Sequence, residues 1–337
     1  MRTKQQSRRS AAGGLAADAA EGAVNTRTKT RADTLPRRSV APGDMLPEYA
    51  GLLTGRRQTS LAATLGRCGI EMHDGWRGTL KTRGLAAEVS IEADGAVRIA
   101  ADLPAEDSAA DGAARVRWLE RNAALPGNVR FARWAGRWQV VADTQIDGAV
   151  HLEATIGQIR AGLREACSGS SQRAPGAAGG DRPTADEVQA AIDGLGWERE
   201  QTVRQDDSWE LRPRFGDATL AVSVTLTDEL RLSRTLIEHA PAELCRTAMS
   251  DQALRFNGQL RLVRLSAENG RIVAESRLHR GLVRPGWLAD AVRAVAVAAR
   301  HVRPVLDVLA TDETAARWYV GELTNDEAND ERMTKLK

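Results

Sequence analysis

The clearest pattern in the chain is an alternation of apolar and polar positions in two separate stretches. A period of two is typical of strands that bury one face. In the first stretch the apolar positions are Ala87, Val89 and Ile91, followed by Val97, Ile99 and Ala101. In the second they are Leu220, Val222, Val224 and Leu226, followed by Leu230 and Leu232. Each stretch therefore predicts neighbouring strands.

A hairpin is predicted further along each stretch. The first runs from Val129–Arg133 through Ala135-Gly136-Arg137 into Trp138–Ala142. The second runs from Leu260–Arg264 through Asn269-Gly270-Arg271 into Ile272–Ala274. A glycine at each turn supplies the positive φ that tight hairpins need.

Apolar residues at helical spacing surround these strands. An opening helix is indicated by Leu61, Leu65 and Gly66 in one stretch and by Val188, Ile192, Leu195 and Gly196 in the other. A middle helix contains Val116 and Leu119 in the first stretch and Leu244 and Met249 in the second. A closing helix carries Leu152, Ile156, Ile159 and Leu163 in the first stretch. In the second it carries Leu288, Val292, Val295 and Ala299. The same elements thus recur in the same order, which indicates an internal repeat.

The order predicts an α+β fold of two tandem α-β-β-β-α-β-β-α domains, each a largely antiparallel five-stranded sheet packed with helices. The domains would span 44–167 and 184–320, joined by a Gly/Ser/Pro-rich linker at 168–183 and followed by a polar tail at 321–337. We expect a monomer in which the two copies pack as an intramolecular pseudo-dimer, which a flexible linker of this length permits.

Composition narrows the class of protein. With 42% apolar residues and a net charge of +2, the 337-residue chain can bury a core, and three cysteines are too few for a disulfide scaffold. No apolar run is long enough for a membrane helix, so we expect a cytoplasmic protein without membrane contact. Residues 1–43 differ, with nine Lys/Arg against three acids, and are predicted to be a disordered basic arm.

Motifs that would identify a chemistry are missing from the sequence. There is no CxxC or HExxH pattern for a metal, no GxGxxG or GxxxxGK[ST] loop for a nucleotide, and no GxSxG elbow for a nucleophile. We therefore predict a protein that is not an enzyme, with no catalytic residues, no cofactor and no metal.

The arginines of the two hairpins are the candidate binding residues. Arg130 and Arg133 lie on the first, and Arg261 and Arg264 on the second. Arg130 and Arg261 alternate with apolar neighbours, so we expect them to line an exposed sheet face. The hairpin arginines then have two possible roles. They would either be solvated there or form a groove that contacts carboxylates and backbone of a partner peptide, beside edge strands open to strand addition.

Three features carry a family resemblance: the opening helix with its Leu-Gly end, the strand starts Asp74-Gly75-Trp76 and Asp207-Ser208-Trp209, and the arginine-bearing hairpin that leads into the last helix. On these features each domain resembles the type III secretion chaperone-like family, including its YbjN-type branch. The resemblance implies a non-enzymatic module that dimerises and holds segments of a partner protein or secretion client. Family members are usually single domains, whereas this chain has two joined copies.

A second function stays open at the level of sequence. The basic arm at 1–43 could make weak contacts with nucleic acid or another polyanion, with an affinity that depends on salt but not on base sequence. The arm has no aromatic residue for stacking on bases. The protein-binding function is therefore favoured.

Overall fold

The computed structural model describes residues 65–66, 70–73, 77–82, 85–91, 96–103, 112–134, 137–145, 155–160, 182–197, 202–215, 218–239 and 242–322. The predicted basic arm at 1–43, most of the predicted linker and the chain after residue 322 lie outside these residues. We call residues 65–160 the first half and residues 182–322 the second half.

Each half contains one six-stranded antiparallel sheet. The first has β1 (Ile70–Met72), β2 (Arg77–Thr82), β3 (Leu85–Ile91), β4 (Ala96–Asp102), β5 (Val129–Trp134) and β6 (Arg137–Gln145), in the order β1-β2-β3-β4-β6-β5. The second has β7 (Thr202–Gln205), β8 (Ser208–Leu211), β11 (Val222–Leu226), β12 (Leu230–Ile237), β13 (Arg264–Glu268) and β14 (Arg271–Leu278), in the order β7-β8-β11-β12-β14-β13. A ribbon of β9 (Arg214–Phe215) and β10 (Ala218–Thr219) follows β8.

The main helices are α1 (Gly112–Asn122), α2 (Ala185–Asp193), α3 (Glu243–Gln259) and α4 (Pro285–Thr311), and residues 155–160 and 313–322 are also helical. A capping box starts α2, in which Thr184 and Glu187 satisfy each other's backbone N–H groups. Pro285 stands at the first position of α4, where its missing N–H costs nothing. None of the described helices is long and apolar enough to span a membrane.

The predicted α+β class is confirmed, but the predicted five strands per sheet are wrong. Each sheet has a sixth strand at its outer edge, β1 in the first half and β7 in the second. The sequence pattern missed β1 because it is only three residues long. It missed β7 because Val203, Arg204 and Gln205 are all exposed, so no buried face imposes an apolar alternation.

The second hairpin also begins later than predicted. Of the predicted strand Leu260–Arg264, only Arg264 lies in β13. Leu262 adopts a positive φ of 56° and interrupts the extended backbone before the strand starts. Arg264, three residues beyond Arg261, therefore stands at the start of the strand that pairs with β14.

The middle helices cross between the halves. Helix α1 packs against β13 of the second sheet, α3 packs against β5 of the first, and the two helices contact each other. Close approach of α3 requires Gly258, because a Cβ there would lie 2.8 Å from the carbonyl oxygen of Arg133. Helix α4 covers β12 and β14 of its own sheet. The described residues of the two halves consequently belong to one compact unit.

Candidate functional site

The four arginines singled out from the sequence are all buried, and Arg130, Arg133 and Arg264 bind groups of the other half. Arg130 and Arg264 have no exposed surface, and Arg261 and Arg133 are 4% and 6% exposed. The expectation that Arg130 and Arg261 line an exposed sheet face is therefore wrong. It failed because β5 is covered by a helix of the other half, which a strand pattern does not reveal.

Asp143 on β6 is the centre of the first buried charge cluster. Its Oδ2 accepts hydrogen bonds from Arg130 Nη2 at 2.6 Å and from the backbone N–H of Leu262 at 3.3 Å. Its Oδ1 accepts one from Arg98 Nε at 2.9 Å. Burial by itself raises the pKa of Asp143, but the charges of Arg130 and Arg98 outweigh it and lower the pKa to about 2.

Both arginines of this cluster also bind the end of α3 in the other half. Arg98 donates to the carbonyl oxygens of Gly258 at 2.6 Å and Leu260 at 2.5 Å. Arg130 donates to Asn257 at 2.7 Å and Leu260 at 2.6 Å. The last carbonyl groups of a helix have no partner within it, so these guanidinium groups serve as a C-terminal cap.

Glu275 on β14 is the centre of a second buried cluster, in which a carboxylate is again paired with arginines. It accepts hydrogen bonds from Arg264 Nε and Arg231 Nε, both at 2.5 Å. Burial raises the pKa of Glu275, while the neighbouring arginines outweigh it and lower the pKa to about 2. Arg264 also donates to the carbonyl oxygen of Leu125 at 2.5 Å, just beyond α1 of the first half. Arg277 also donates to the carbonyl oxygen of Ala123, the residue after α1, at 2.8 Å, so arginines of each half bind carbonyl groups at the end of the other half's middle helix.

Two asparagines join the strands at the centre. Asn122 at the end of α1 accepts a hydrogen bond from the N–H of Phe131, and Asn257 on α3 accepts one from the N–H of Leu265. Each amide also donates to the carbonyl oxygens of both Phe131 and Leu265, at 3.0–3.4 Å. The inner edges of the two sheets are therefore bridged reciprocally by buried amides.

A third cluster surrounds Asp251 on α3, which has no exposed surface. Arg133 donates to its Oδ1 at 3.2 Å, while Arg255 and the hydroxyl of Tyr319 donate to its Oδ2 at 2.9 and 2.8 Å. Burial, followed by the charge of Asp251, raises the pKa of Tyr319 well above its usual value. Tyr319 thereby ties helix 313–322 to α3.

These clusters have the chemistry of a structural interface. Carboxyl groups with a pKa near 2 stay ionised and do not donate protons at neutral pH. Burial raises the pKa of the Cys245 thiol, which disfavours the nucleophilic thiolate. The described residues hold no group of three or more metal-ligating side chains. We therefore assign the arginine clusters to pairing of the halves.

Acid should weaken this interface. The depressed pKa values of Asp143 and Glu275 mean that both stabilise the fold above their unfolded pKa values of about 4, and that this contribution is lost as the pH falls towards 2. We expect stability to fall by on the order of 1.4 kcal/mol per pH unit for each carboxylate across that window. Urea denaturation of the full chain between pH 5 and pH 2 tests this. Asp143→Asn should make the dependence shallower, and an unchanged slope would contradict the prediction.

Sequence reasoning overlooked both central acids, although a signal for them exists. Asp143 ends the apolar run Val140–Ala142, and Glu275 ends the run Ile272–Ala274. An acid inside a continuously buried strand needs a cationic partner, because an isolated buried charge is costly. Arg98 is such a partner for Asp143, because it lies directly opposite in the pairing of β4 with β6.

The outer edge of the second sheet, formed by β7, is exposed, unlike the buried inner edges of the two sheets. Strand β7 pairs with β8 on one side, and among the described residues no strand pairs with its other side. Val203 on this strand is 47% exposed, and Arg204 lies over the ring of Trp209 at 5.5 Å. An open edge of this kind presents backbone N–H and C=O groups to an incoming strand.

Comparison of the sequence with models of known protein families and with the curated proteins finds no match to this chain.

Proposed function

We propose that the chain is a non-enzymatic protein-binding module built from two copies of one α+β domain that pair internally as a pseudo-dimer. Both sheets have the same connectivity, with the strand after the middle helix at the inner edge. Each middle helix packs against a strand of the other half: α1 against β13, and α3 against β5. This reciprocal packing supports duplication of one ancestral domain. The proposed activity, binding of segments of a partner protein, is the one that the resemblance to secretion chaperones implies.

The open edge of β7 is the observation that carries the binding function. The inner edges, β5 and β13, are occupied by pairing of the halves, so they are closed to a partner. Strand addition to a free edge gives affinity through main-chain hydrogen bonds and selectivity through alternate side chains. In this proposal the hairpin arginines hold the module together, and the partner binds at the opposite side of the second sheet.

The register of β7 indicates which backbone groups are available. A two-residue turn joins β7 to β8, and Gln205 and Ser208 form the closing pair. Closing pairs of such hairpins are hydrogen-bonded, and the next pair is not. The N–H of Arg204, which is opposite Trp209, therefore points away from the sheet. The partner is an extended segment with an acidic residue beside Arg204 and an apolar residue beside Val203.

Replacing Arg204 tests the proposal. Arg204→Pro removes the outward N–H and blocks the edge without breaking a ladder bond, and Arg204→Ala is the matched control that keeps the N–H. The probe is a labelled globular protein that is kept unfolded by reduction and alkylation, and binding is measured by fluorescence anisotropy. We expect binding to weaken about tenfold or more for Arg204→Pro and about two- to threefold for Arg204→Ala.

The remaining outcomes separate the alternatives. Wild-type binding by Arg204→Pro, with an unchanged urea midpoint, would overturn strand addition at β7. A chain that lacks residues 1–43 should bind the unfolded probe like the full chain. If that deletion abolishes binding and the full chain binds DNA at about 150 mM salt, the polyanion function of the arm is supported instead.

A further inference from the structure

The first sheet also has an open outer edge, formed by β1. Among the described residues, β1 pairs with β2 on one side and no strand pairs with its other side. Glu71 on this strand is exposed, lies between Ile70 and Met72, and makes no ion pair with any described residue. An acidic side chain flanked by apolar ones is the pattern expected of a partner for β7. The inner edges β5 and β13 contact each other, so β1 and β7 lie at opposite outer edges and cannot pair within one molecule.

The hydrogen bonds of β1 show which of its backbone groups are available. The N–H of His73 donates to the carbonyl oxygen of Arg77 at 2.8 Å, in the same register that pairs β1 with β2. In an antiparallel ladder, hydrogen-bonded pairs alternate with pairs that are not hydrogen-bonded, so Glu71 bonds to β2. The N–H and C=O groups of Ile70 and Met72 therefore point away from the sheet.

The available groups of β7 are fixed by the strands behind it. The N–H of Leu226 on β11 donates to the carbonyl oxygen of Asp207 at 3.3 Å, and in this register Trp209 also bonds to β11. The residues of β8 on either side of Trp209 bond to β7 instead. The N–H and C=O groups of Thr202 and Arg204 consequently point outward. The side chain of Arg204, like that of Glu71, makes no ion pair with any described residue.

One pairing of these two edges satisfies both the backbone groups and the charges. In a parallel pair, a residue with outward groups lies opposite one whose groups point inward, whereas in an antiparallel pair it lies opposite another outward one. A parallel register therefore places Arg204 opposite Glu71 on one face and covers Val203, which is 47% exposed, with Ile70 on the other. The N–H of Arg204 then donates to Ile70, and that of Met72 donates to Arg204. An antiparallel register would put the two charges on opposite faces.

We propose that the outer edge of β7 binds β1 of a second molecule of the same chain, as a parallel strand with Arg204 opposite Glu71. This pairing rests on the proposed function, because it uses the same edge of β7, and it makes a second molecule compete there with an unfolded partner. Each added molecule brings another open outer edge. Such a head-to-tail contact forms oligomers that grow with concentration, or a ring where the rotation closes.

Sedimentation of the full chain at about 10 µM to about 1 mM tests the pairing, since a contact of so few residues is weak. We expect the average mass to rise with concentration beyond that of a dimer. Glu71→Arg and Arg204→Glu should each weaken self-association about tenfold, because each places like charges opposite one another. The double variant Glu71→Arg/Arg204→Glu exchanges the charges and should restore association to within about threefold of wild type, which a misfolded variant would not do.

Glu88→Arg is the matched control for these variants. Glu88 lies on the same face as Glu71 but two strands further in, on β3, and its side chain is 68% exposed. Its replacement should leave self-association unchanged. A constant mass at all concentrations, or a double variant that does not restore association, would overturn the proposal. Loss of association in Arg204→Glu but not in Glu71→Arg would overturn it too, because β7 would then pair with β7.

Binding of the unfolded probe separates this pairing from the proposed function. Glu71→Arg should bind the probe at least as tightly as wild type, because β7 stays open, whereas Arg204→Pro should lose both probe binding and self-association. If Arg204→Pro loses only self-association, the proposed function fails and the pairing of molecules stands. If it loses only probe binding, the pairing of molecules fails and the proposed function stands.

Discussion

Replacing Asp143 by alanine should lower the free energy of unfolding of the full chain by about 3–5 kcal/mol. The variant leaves Arg130, which has no exposed surface, and Arg98 without the carboxylate that they share. Removing one partner of a buried ion pair is costly because the remaining charge stays buried and unpaired. It also removes the acceptor for the N–H of Leu262. The loss is a large fraction of the 5–15 kcal/mol typical of a folded protein.

Asp102 provides the matched control. It lies on β4, and its carboxylate pairs with Arg137 at 2.9 Å, but about half of each side chain is exposed. Exposed pairs are worth about 0–1 kcal/mol, so Asp102→Ala should change the urea midpoint little. Asp143→Asn, which keeps the hydrogen-bond acceptor and loses the charge, should fall between the two. A loss below 1 kcal/mol for Asp143→Ala would show that the cluster does not stabilise the pairing.

The order of strands and helices could be predicted because each element has a local signal. Alternation at Ala87, Val89 and Ile91 marks β3, and helical spacing at Val188 and Ile192 marks α2. The outer strand β7 has no such signal, because its register is fixed by hydrogen bonds to β8 and not by a buried apolar face. Local pattern therefore identifies buried elements and misses exposed edges.

The candidate site could not be predicted in the same way, because its properties arise from contacts between distant parts of the chain. Arg130 looks like a solvated strand residue until α3, more than a hundred residues later, covers it. Its counterpart is Arg264 and not Arg261, since a positive φ at Leu262 shifts the start of β13. A correct alignment of the halves needs backbone geometry that the hydrophobic pattern does not contain.

The two charge clusters are alike in role but not in position. Arg130 is opposite Val141 in the first hairpin, and Arg264 is opposite Glu275 in the second. Asp143, two residues beyond Val141, supplies the carboxylate of the first cluster. A carboxylate is therefore placed differently in the two halves, while the arginine is kept at the same point of the hairpin. Each carboxylate pairs with arginines of its own half, and those arginines reach carbonyl oxygens of the other half.

Separating the halves should abolish independent folding. In the first half alone, Arg98 and Arg130 lose the carbonyl oxygens of Asn257, Gly258 and Leu260. In the second half alone, α3 loses its C-terminal cap and Asn257 loses Phe131. Separation exposes these groups and the apolar surface around them to water, so each half loses hydrogen bonds and burial that are large compared with the stability of about 5–15 kcal/mol typical of a folded protein.

A protease site placed in residues 168–183 tests this in the intact protein. After cleavage we expect the two fragments to elute together at the volume of the uncut chain and to separate only in denaturant. Fragments produced separately should show no cooperative thermal transition alone and should regain one when mixed. A second-half fragment with Asn257→Leu serves as the control, because it keeps its bulk but cannot bridge Phe131 and Leu265, and should fail to restore the transition. A first half that melts cooperatively as a monomer would contradict the interlocked pairing.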